Sequence, residues 1–337
     1  MGFSSQAGQV LFATQATPGT FPAGFSTDAL AMKLKSGSLG SNRELLITDP
    51  EIGGGRDTVD AYLGAVSWSG DYEFYARMDA LPILLKACLG TATSAADGVV
   101  AYKHTITPSD SATLPFLAIE EKIGNGLETH NYTDSVVNTF HLEAEANGYL
   151  SGTAGIISKK QVAGVTPTAT PTWDDSNLIV GTNITLTYGG VTLPAKSFSF
   201  DLNNNFEDDD FRLGSFYLGD LTAKGREVSG SFTIRPADNS LWRRAVYGAS
   251  SATEAGGLTN KDSLVIDCKT YEDIPGAAVG KKYGIKITIP KIALEPYNNE
   301  PSGDDILEND ISWRGLRPIA ANSICTVEVT NKQATIK

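Results

Sequence analysis

Histidine is the side chain best suited to proton transfer and metal binding near neutral pH, and this sequence holds three of them. They are scattered, at His104, His130 and His141, and none stands in a His-x-His or His-x-x-x-His spacing. Cys-x-x-Cys is also missing, so the sequence predicts no zinc or iron site and no cofactor. A lone histidine on an alternating strand, such as His141, is typical of a solvent-facing side chain.

The nucleophiles give no catalytic pattern either. An odd, widely spaced set of cysteines, Cys88, Cys268 and Cys325, gives no disulfide framework and predicts small core hydrophobes in a reduced, cytosolic chain. No Gly-x-Ser-x-Gly elbow occurs, so a serine hydrolase is not indicated. The glycines at 53–55 lack the following Lys-Ser/Thr of a phosphate loop and predict the tip of a flexible hairpin.

Carboxylates are the remaining group that could do chemistry, and they form two clusters. The members are Glu207, Asp208, Asp209 and Asp210 in the first, and Asp304, Asp305, Glu308 and Asp310 in the second. Calcium would need oxygen ligands at alternate positions around a glycine turn, and neither cluster has that spacing. Both therefore indicate solvated loop charge, with a repulsive or inter-subunit role as the alternative.

Length and charge narrow the class of function. The 337 residues are enough for two domains of roughly 150 residues, each with its own core. A net charge of −12 argues against a protein that grips nucleic acid, because phosphate binding needs clustered Lys and Arg. Acidic residues outnumber basic ones on both sides of residue 165. Such charge suits a surface that nucleic acid passes without sticking, since it repels phosphate.

The elements that must position these residues are mainly strands. Apolar residues alternate with polar ones in short runs such as 140–144, 198–202 and 285–289, each bounded by Gly, Pro, Asn or Asp. The runs predict antiparallel strands with one wet face. The sequence therefore predicts an all-β protein with short helices.

Two segments, 79–90 and 238–248, have helical spacing instead. In the first, Leu81, Leu84 and Cys88 share one face. Asp79 is placed to cap its start and Gly90 to end it. Two short helices are therefore expected among the strands.

The same pattern occurs twice, about 160 residues apart. The strands at 68–74 and 228–234 share a Ser-Gly pair, and each follows a long polar stretch and precedes one of the two helices. We therefore predict two related β-domains, 1–161 and 178–337. Residues 162–177, with two prolines and four threonines, predict an extended linker, and an irregular loop packed on one domain is the alternative.

The N-terminus gives no targeting signal. MGFSSQAGQVLF lacks the basic and long apolar regions of a signal peptide, and Gln6 stands where myristoylation needs Ser or Thr. No stretch approaches the roughly 18 apolar residues that span a bilayer. We expect a soluble, non-secreted protein that does not contact a membrane.

The order of these motifs resembles the tail tube, or major tail, proteins of siphophage-type bacteriophages. The resemblance covers nearly the whole chain. It rests on ATPGTFPAGFSTDALAMKL (16–34), GAVSWSGDYEF (64–74), SFSFDLNNNF (197–206), LGSFYLGDLTAKGREVSGSF (213–232), YGIKITIPKIALEP (283–296), SGDDILENDISWRGL (302–316) and CTVEVTN (325–331).

The resemblance implies β-sandwich domains, each with one flanking helix and a long hairpin loop, whose sheet edges join copies into a ring. Rings would stack into a hollow tube that conducts genomic DNA without binding it specifically. Most such proteins carry one tube domain and form hexameric rings, so the duplication implies a trimer that makes a pseudo-hexameric ring. Implied partners are the tape-measure, tail-tip and tail-terminator proteins, in a virion assembled in the host cytoplasm. No enzymatic activity is implied.

Two long charged hairpins, roughly 40–64 and 203–226, look too polar for a core and are candidates for contacts with the ring above or below. The candidate inter-ring or lumen-facing residues on them are Arg56, Asp57, Glu207, Asp208, Asp209, Asp210 and Arg212. Two other functions stay open. A two-domain β-sandwich that binds carbohydrate or a receptor needs an exposed aromatic cluster, and a glycoside hydrolase needs two facing carboxylates.

Overall fold

The structure is a computed structural model and describes residues 4–299, 303, 306–319 and 323–337. These residues form 18 strands and three α-helices, and the strands pair antiparallel. The predicted all-β class with short helices is confirmed. Asp304 and Asp305, which the sequence grouped with Glu308 and Asp310, lie outside the described residues.

Long irregular segments separate some of the elements, among them 48–60, 204–226 and 247–260. The helices are α1 (Phe25–Asp28), α2 (Leu81–Leu89) and α3 (Ser240–Val246). The strands are β1 (Gln9–Thr14), β2 (Leu30–Met32), β3 (Leu34–Gly37), β4 (Gly40–Ile47), β5 (Ala61–Tyr75), β6 (Gly90–Ala96), β7 (Tyr102–Pro108), β8 (Leu117–Ile123), β9 (Glu128–Glu145), β10 (Ser151–Ala163), β11 (Ile184–Tyr188), β12 (Val191–Leu193), β13 (Ala195–Asn203), β14 (Glu227–Ile234), β15 (Lys261–Asp273), β16 (Lys282–Leu294), β17 (Asn309–Gly315) and β18 (Thr326–Asn331).

One strand order occurs twice. In what we call the first unit, neighbouring strands run β2-β1-β8-β9-β10-β5-β4, with β3 also on β5. In the second unit they run β12-β11-β15-β16-β17-β14-β13. The sixth strand in each order is β5 or β14. In the chain a helix follows each of these strands, α2 after β5 and α3 after β14. Each position in the first unit therefore has a counterpart in the second.

The two units are joined side by side into one continuous sheet. Residues 139–145 of β9 pair with residues 197–203 of β13, and we call this pairing the internal joint. A second contact pairs β7 with β18. The main apolar core also takes residues from both units, including Phe140 and Phe200. The division into domains 1–161 and 178–337 stays a prediction.

Helix α2 begins and ends where its sequence indicates, but the predicted cap is wrong. Its N-cap residue is Ala80 and makes no side-chain capping bond, and Gly90, at φ +108°, ends the helix as predicted. The Ala80 N–H instead donates to Asp174 Oδ2 at 2.7 Å. Asp79 faces the C-terminal segment, where the Lys332 N–H donates to its Oδ1 at 3.4 Å. The helix start is thus satisfied by a residue far along the chain.

The segment 162–177 packs on the first unit at its C-terminal end. The Ala31 N–H donates to Thr172 O at 2.8 Å, and the Met78 N–H donates to Ser176 Oγ at 2.8 Å. Asp174 and Ser176 are buried. Of the two alternatives for this segment, the packed loop describes residues 172–176.

Helix α3 is less covered than α2. Eight of the nine residues of α2 are buried, whereas Ala245 is the buried residue of α3. Leu241 packs against the core only partly buried. Within the described ranges, no helix has the length and apolar character needed to cross a membrane.

Candidate functional site

The most exposed part of the first unit is a two-stranded ribbon, residues 40–64, which we call the arm. Strand β4 pairs with the start of β5 from Gly40–Ser69 to Ile47–Ala61, and residues 48–60 form the tip. Every residue from 40 to 63 is exposed. The predicted hairpin is therefore present, with the glycines at 53–55 at its tip and Arg56 and Asp57 beside them.

The arm carries apolar side chains that have no cover in the chain as described. On its paired strands they are Leu45, Leu46, Ile47, Tyr62 and Leu63, each between 52% and 64% exposed, and at its tip Ile52 and Val59 are more exposed still. Isolated two-stranded ribbons are marginally stable in water, and contiguous exposed apolar patches mark interaction sites. The five strand residues were not among the sequence candidates, although Leu45-Leu46-Ile47 is an apolar run inside a polar stretch. The arm is therefore a candidate surface for a contact beyond its own chain.

The second long segment behaves differently. We call residues 204–226 the folded loop, because it lies on the first unit. Its Phe206, Leu218 and Leu221 are buried in a small cluster with three first-unit residues, Leu114, Val136 and Ile157. The expectation that this segment is too polar to reach a core is wrong for those three apolar residues.

Hydrogen bonds fix the base of the folded loop to the first unit. Asn204 is buried, and its Nδ2 donates to Cys88 O at 2.9 Å and to Val137 O at 3.1 Å. The Phe206 N–H donates to Asn138 Oδ1 at 2.9 Å. Burying an amide with its partners supplied gives a specific orientation, since an unpaired group there would be costly. The loop therefore has a defined position on the first unit.

Of the five candidate residues on the folded loop, two pair with each other. Arg212 donates to Asp210 Oδ2 at 2.6 Å and to Asp220 Oδ2 at 2.8 Å. The bond from Arg212 holds the pKa of Asp210 below its usual value. Glu207 lies 3.7 Å from Lys224 Nζ. Asp208 and Asp209 are exposed. The structure thus brings Asp210 and Arg212 together, and places Arg56 and Asp57 on the separate arm.

Of the second acidic cluster, the described members also have partners. Glu308 accepts from Lys196 Nζ at 2.6 Å and from Arg235 Nε at 2.8 Å. The Lys196 bond is the main cause of the lowered pKa of Glu308. Asp310 lies on β17 opposite Thr233. Glu308 thus links Lys196 on β13 to Arg235 after β14, and neither carboxylate belongs to a metal-binding group.

A broad polar face runs across both units. Six consecutive strands, β5-β10-β9-β13-β14-β17, bury side chains such as Phe74, Phe140 and Phe232 on one side. On the other side, directly opposed residues form continuous rows. One row is Glu73, Thr153, His141, Asp201, Ser229 and Arg314. The next is Tyr75, Ser151, Glu143, Ser199, Ser231 and Ser312. We call this side the polar face.

Charge on the polar face is acidic where the units meet. His141 Nδ1 lies 2.6 Å from Asp201 Oδ1 across the internal joint, and its Nε2 lies 3.4 Å from Glu143 Oε2. The hydrogen bond to Asp201 is the main cause that raises the pKa of His141. His141 is thus a half-exposed surface residue, as its alternating strand predicts. It partners carboxylates and approaches no nucleophile.

The described residues do not assemble a catalytic centre from the candidates. All three cysteines are free and buried, as predicted, and burial raises the pKa of Cys88 and Cys325 to about 12. No group of three His, Cys, Asp or Glu side chains among the described residues could hold a metal ion. The surfaces that stand out are therefore the arm, the folded loop and the polar face.

An all-β chain with a repeated unit, an open polar face and an uncovered apolar arm belongs to the class of structural proteins. The family model of the phage tail tube protein matches residues 5–315, and the chain belongs to this family. Comparison with curated proteins gives no match. Membership gives the chain a structural role in a phage tail tube, as a virion component that self-assembles. That role is consistent with a protein that is not an enzyme.

Proposed function

We propose that three copies of this siphophage-type protein form a ring of six similar units, and that the rings stack into a hollow tube for DNA ejection. The repeated strand order supports this stoichiometry, because two equivalent units already stand side by side in one chain. A closed ring leaves no exposed sheet edge, which is otherwise a liability in a chain so rich in strands.

The observation that carries the proposal is the polar face. Both units contribute three strands to it, and its acids are spread over them: Asp71, Glu73, Glu143, Asp201 and Asp310. The face consists mainly of small polar and acidic side chains, and its basic groups His141 and Arg314 are each paired with a carboxylate, so it offers DNA few free cationic contacts. Its charge repels phosphate within a screening length of about 8 Å at physiological salt. The polar face is the wall of the lumen.

Rings contact the rings above and below through the segments that project from the sheets. The tip of the arm, with Arg56 and Asp57, is free to reach the ring above or below. Asp208 and Asp209 are exposed on the folded loop and serve the same contact. The ends of the tube meet the tail-tip and terminator proteins, the tape-measure protein occupies the lumen before DNA, and assembly takes place in the host cytoplasm.

Electron microscopy of the purified protein tests assembly first. The expected result is rings or tubes. A protein that stays monomeric at high concentration, even beside its tail partners, would contradict the proposal.

The lumen assignment is tested by charge reversal on the polar face. Tubes of Glu143→Lys should bind short double-stranded DNA in a salt-dependent way, since each lysine adds a phosphate contact. Glu254→Lys is the matched control, an exposed acid on the loop after α3. Native and Glu254→Lys tubes should leave the DNA free. Equal binding by both variants would show that the polar face does not line the lumen.

A further inference from the structure

The internal joint contains information about how one copy meets the next. It pairs seven residues of β13 with seven of β9, from Ser197–Glu145 to Asn203–Thr139. Its two sides occupy different positions in the repeated unit. One side is β13, the strand that precedes β14, and the other is β9, the strand that precedes β10. Each side therefore has a counterpart in the other unit.

The counterpart of β13 is the stretch of β3 and β4. Ser38 is placed opposite Asp71 by the pairing of its neighbours, as Ser199 is opposite Ser231. Over this stretch Lys35-Ser-Gly-Ser-Leu-Gly-Ser-Asn42 matches Lys196-Ser-Phe-Ser-Phe-Asp-Leu-Asn203 at lysine, both serines and asparagine. The serine roles match too, since Ser36 Oγ donates to Glu73 and Ser197 Oγ to Thr233.

That stretch has an open edge. Within the described residues, β3 and β4 pair with β5 and with no second strand, although Leu39 between them is buried and its C=O accepts from Tyr132 Oη at 3.3 Å. Residues 36–38 and 40–42 are exposed. In the second unit, by contrast, the same edge of β13 is filled by β9. The edge that is unpaired in the first unit is therefore the one that β9 pairs with in the second unit.

The counterpart of residues 139–143 of β9 is the segment 295–299, which follows β16. Phe232 pairs with Ile311 as Tyr72 pairs with Ala154, which aligns β17 with β10. Along β17, the Glu295 N–H donates to Ser312 O at 2.8 Å, and Asn309 Nδ2 donates to Asn299 Oδ1 at 2.8 Å. The Glu295 bond extends the pairing with β17 one residue past Leu294, and residues 296–299 follow it without further backbone pairing to β17, at the places that 140–143 have beside β10. Their other edge has no strand pairing among the described residues.

The two units also differ in how the leucine just before β8 or β15 is covered: that of the first unit is buried and that of the second is exposed. Leu114, three residues before β8, is buried by the folded loop. Leu258, three residues before β15, is 86% exposed. The arm stands at the position in the first unit that the folded loop has in the second, and its apolar residues are uncovered. An uncovered leucine and an uncovered apolar arm are complementary.

We propose that neighbouring copies join by repeating the internal joint. Residues 38–42 of one copy pair antiparallel with 295–299 of the next, and the arm covers the corner around Leu258 of that next copy. The register follows from the internal joint: Ser38 lies opposite Asn299, Gly40 opposite Tyr297, and Asn42 opposite Glu295. This inference rests on the proposed ring, and adds which edges close it.

The joint between copies is weaker than the internal one. Because Glu295 donates to β17, residue 296 is the one whose N–H would face the neighbour, and that residue is proline. Proline has no N–H to give, so one hydrogen bond of the internal joint has no counterpart. Proline at an open edge also limits pairing with wrong strands. The proposed joint between copies therefore has at least one backbone hydrogen bond fewer than the internal joint.

Cysteine pairing between two different variants tests this register. Ser38→Cys and Asn299→Cys are mixed, assembled under reducing conditions and then oxidised. Directly opposed residues have Cα atoms about 4.5–5.5 Å apart, within the range of a disulfide. We expect a two-chain species on a denaturing gel, which a mixture of single variants can form only between copies. The native cysteines are buried and do not compete.

The matched control replaces Asn299→Cys by Asn298→Cys. Its side chain points to the opposite side of the strand, so no cross-link with Ser38→Cys is expected. Assembly of each reduced variant, seen by electron microscopy, shows that the variants fold. Rings without a cross-link at 38 and 299, or with an equal one at 38 and 298, would overturn the joint while leaving the proposed function in place. Native protein that forms no rings would overturn both.

Discussion

The two units share a strand order, yet they differ in how completely they are covered. In the first unit α2 is buried, its start is satisfied by Asp174, and Leu114 lies under the folded loop. In the second unit α3 is mostly half-exposed and Leu258 is exposed. The cover on the first unit comes from later parts of the same chain. In the proposed joint, the cover missing from the second unit comes from another copy, and the arm supplies it.

The largest effect is expected on assembly, from charge placed on the arm. Leu45 and Leu63 are opposed on the two strands of the arm and are both 56% exposed. The double variant Leu45→Asp/Leu63→Asp should abolish rings and tubes in electron micrographs, because two carboxylates would have to be buried against the neighbouring copy. Its unfolding free energy should change by less than about 0.5 kcal/mol, as for other exposed positions.

The control for that variant lies on the same arm. Arg56→Ala leaves the apolar part intact, so rings should form, and a loss of stacking alone would assign the tip to contacts between rings. If Leu45→Asp/Leu63→Asp still made normal rings, the arm would not cover the neighbouring copy.

The next largest effect is expected on the unfolding free energy, when each of two leucines at equivalent places in the two units is replaced by alanine. Leu114→Ala should lower the unfolding free energy of the isolated chain by about 3 kcal/mol, the usual cost of emptying a buried leucine site. Leu258→Ala should change it by less than about 0.5 kcal/mol. Denaturant unfolding followed by tryptophan fluorescence measures both. Similar losses at the two positions would mean that the second unit is already covered within the chain.

The start of α2 gives a prediction in pH. Burial, with Asp174 nearby, raises the pKa of Asp79 to about 6. The folded state therefore binds the proton more tightly than the unfolded chain, and this contribution to stability falls as pH rises from about 4 to about 6. Asp79 is the residue before the N-cap of α2, and the residue before the N-cap of α3 is Asp238, which is exposed. Asp79→Asn should remove this pH dependence and raise the unfolding free energy at pH 7 by about 2 kcal/mol.

Unfolding measured across that pH interval decides the point. Asp238→Asn, at the exposed start of α3, is the control and should keep the pH dependence of the native chain. A slope that survives in Asp79→Asn would place its cause elsewhere.

The smallest effect, on the unfolding free energy, is expected from replacing His141. This residue belongs to the internal joint and has no histidine counterpart in the proposed joint between copies. Asp201 raises the pKa of His141, so its stabilising charge is fully present below the pKa of an unfolded histidine and is lost as pH rises through the raised value. His141→Gln should lower the unfolding free energy at pH 5 by less than about 1 kcal/mol, since the pair is partly exposed. The joint between copies has Tyr297 and Gly40 there, so ring formation should not follow this titration. Light scattering against pH provides that measurement.

Local features of the fold could be predicted from the sequence. The helix at 79–90 follows from the spacing of Leu81, Leu84 and Cys88 and from Gly90, all of which lie within one short segment of the chain. The strand at 195–203 follows from alternation of Phe198, Phe200 and Leu202. In each case the residues that decide the structure are neighbours in the chain.

What could not be predicted depends on distant contacts. Asp174 serves the start of α2 from more than 90 residues away, at a place where the local pattern favoured Asp79. The stretches 40–64 and 203–226 are both polar and rich in loop residues, and only packing against Leu114 and Ile157 separates the folded loop from the arm. The match between 35–42 and 196–203 is present in the sequence. Only their pairing with β5 and β14 shows that the two stretches occupy equivalent positions in the two units.

The central claim is that one joint, used inside the chain and again between chains, closes a ring of three copies. A cryo-EM reconstruction of the tube tests it most directly. The predicted map has threefold symmetry with six similar lobes, the polar face inward, and residues 38–42 beside 295–299 of the next copy. Sixfold symmetry of whole chains, with the second unit on the outside of the tube, would contradict the claim.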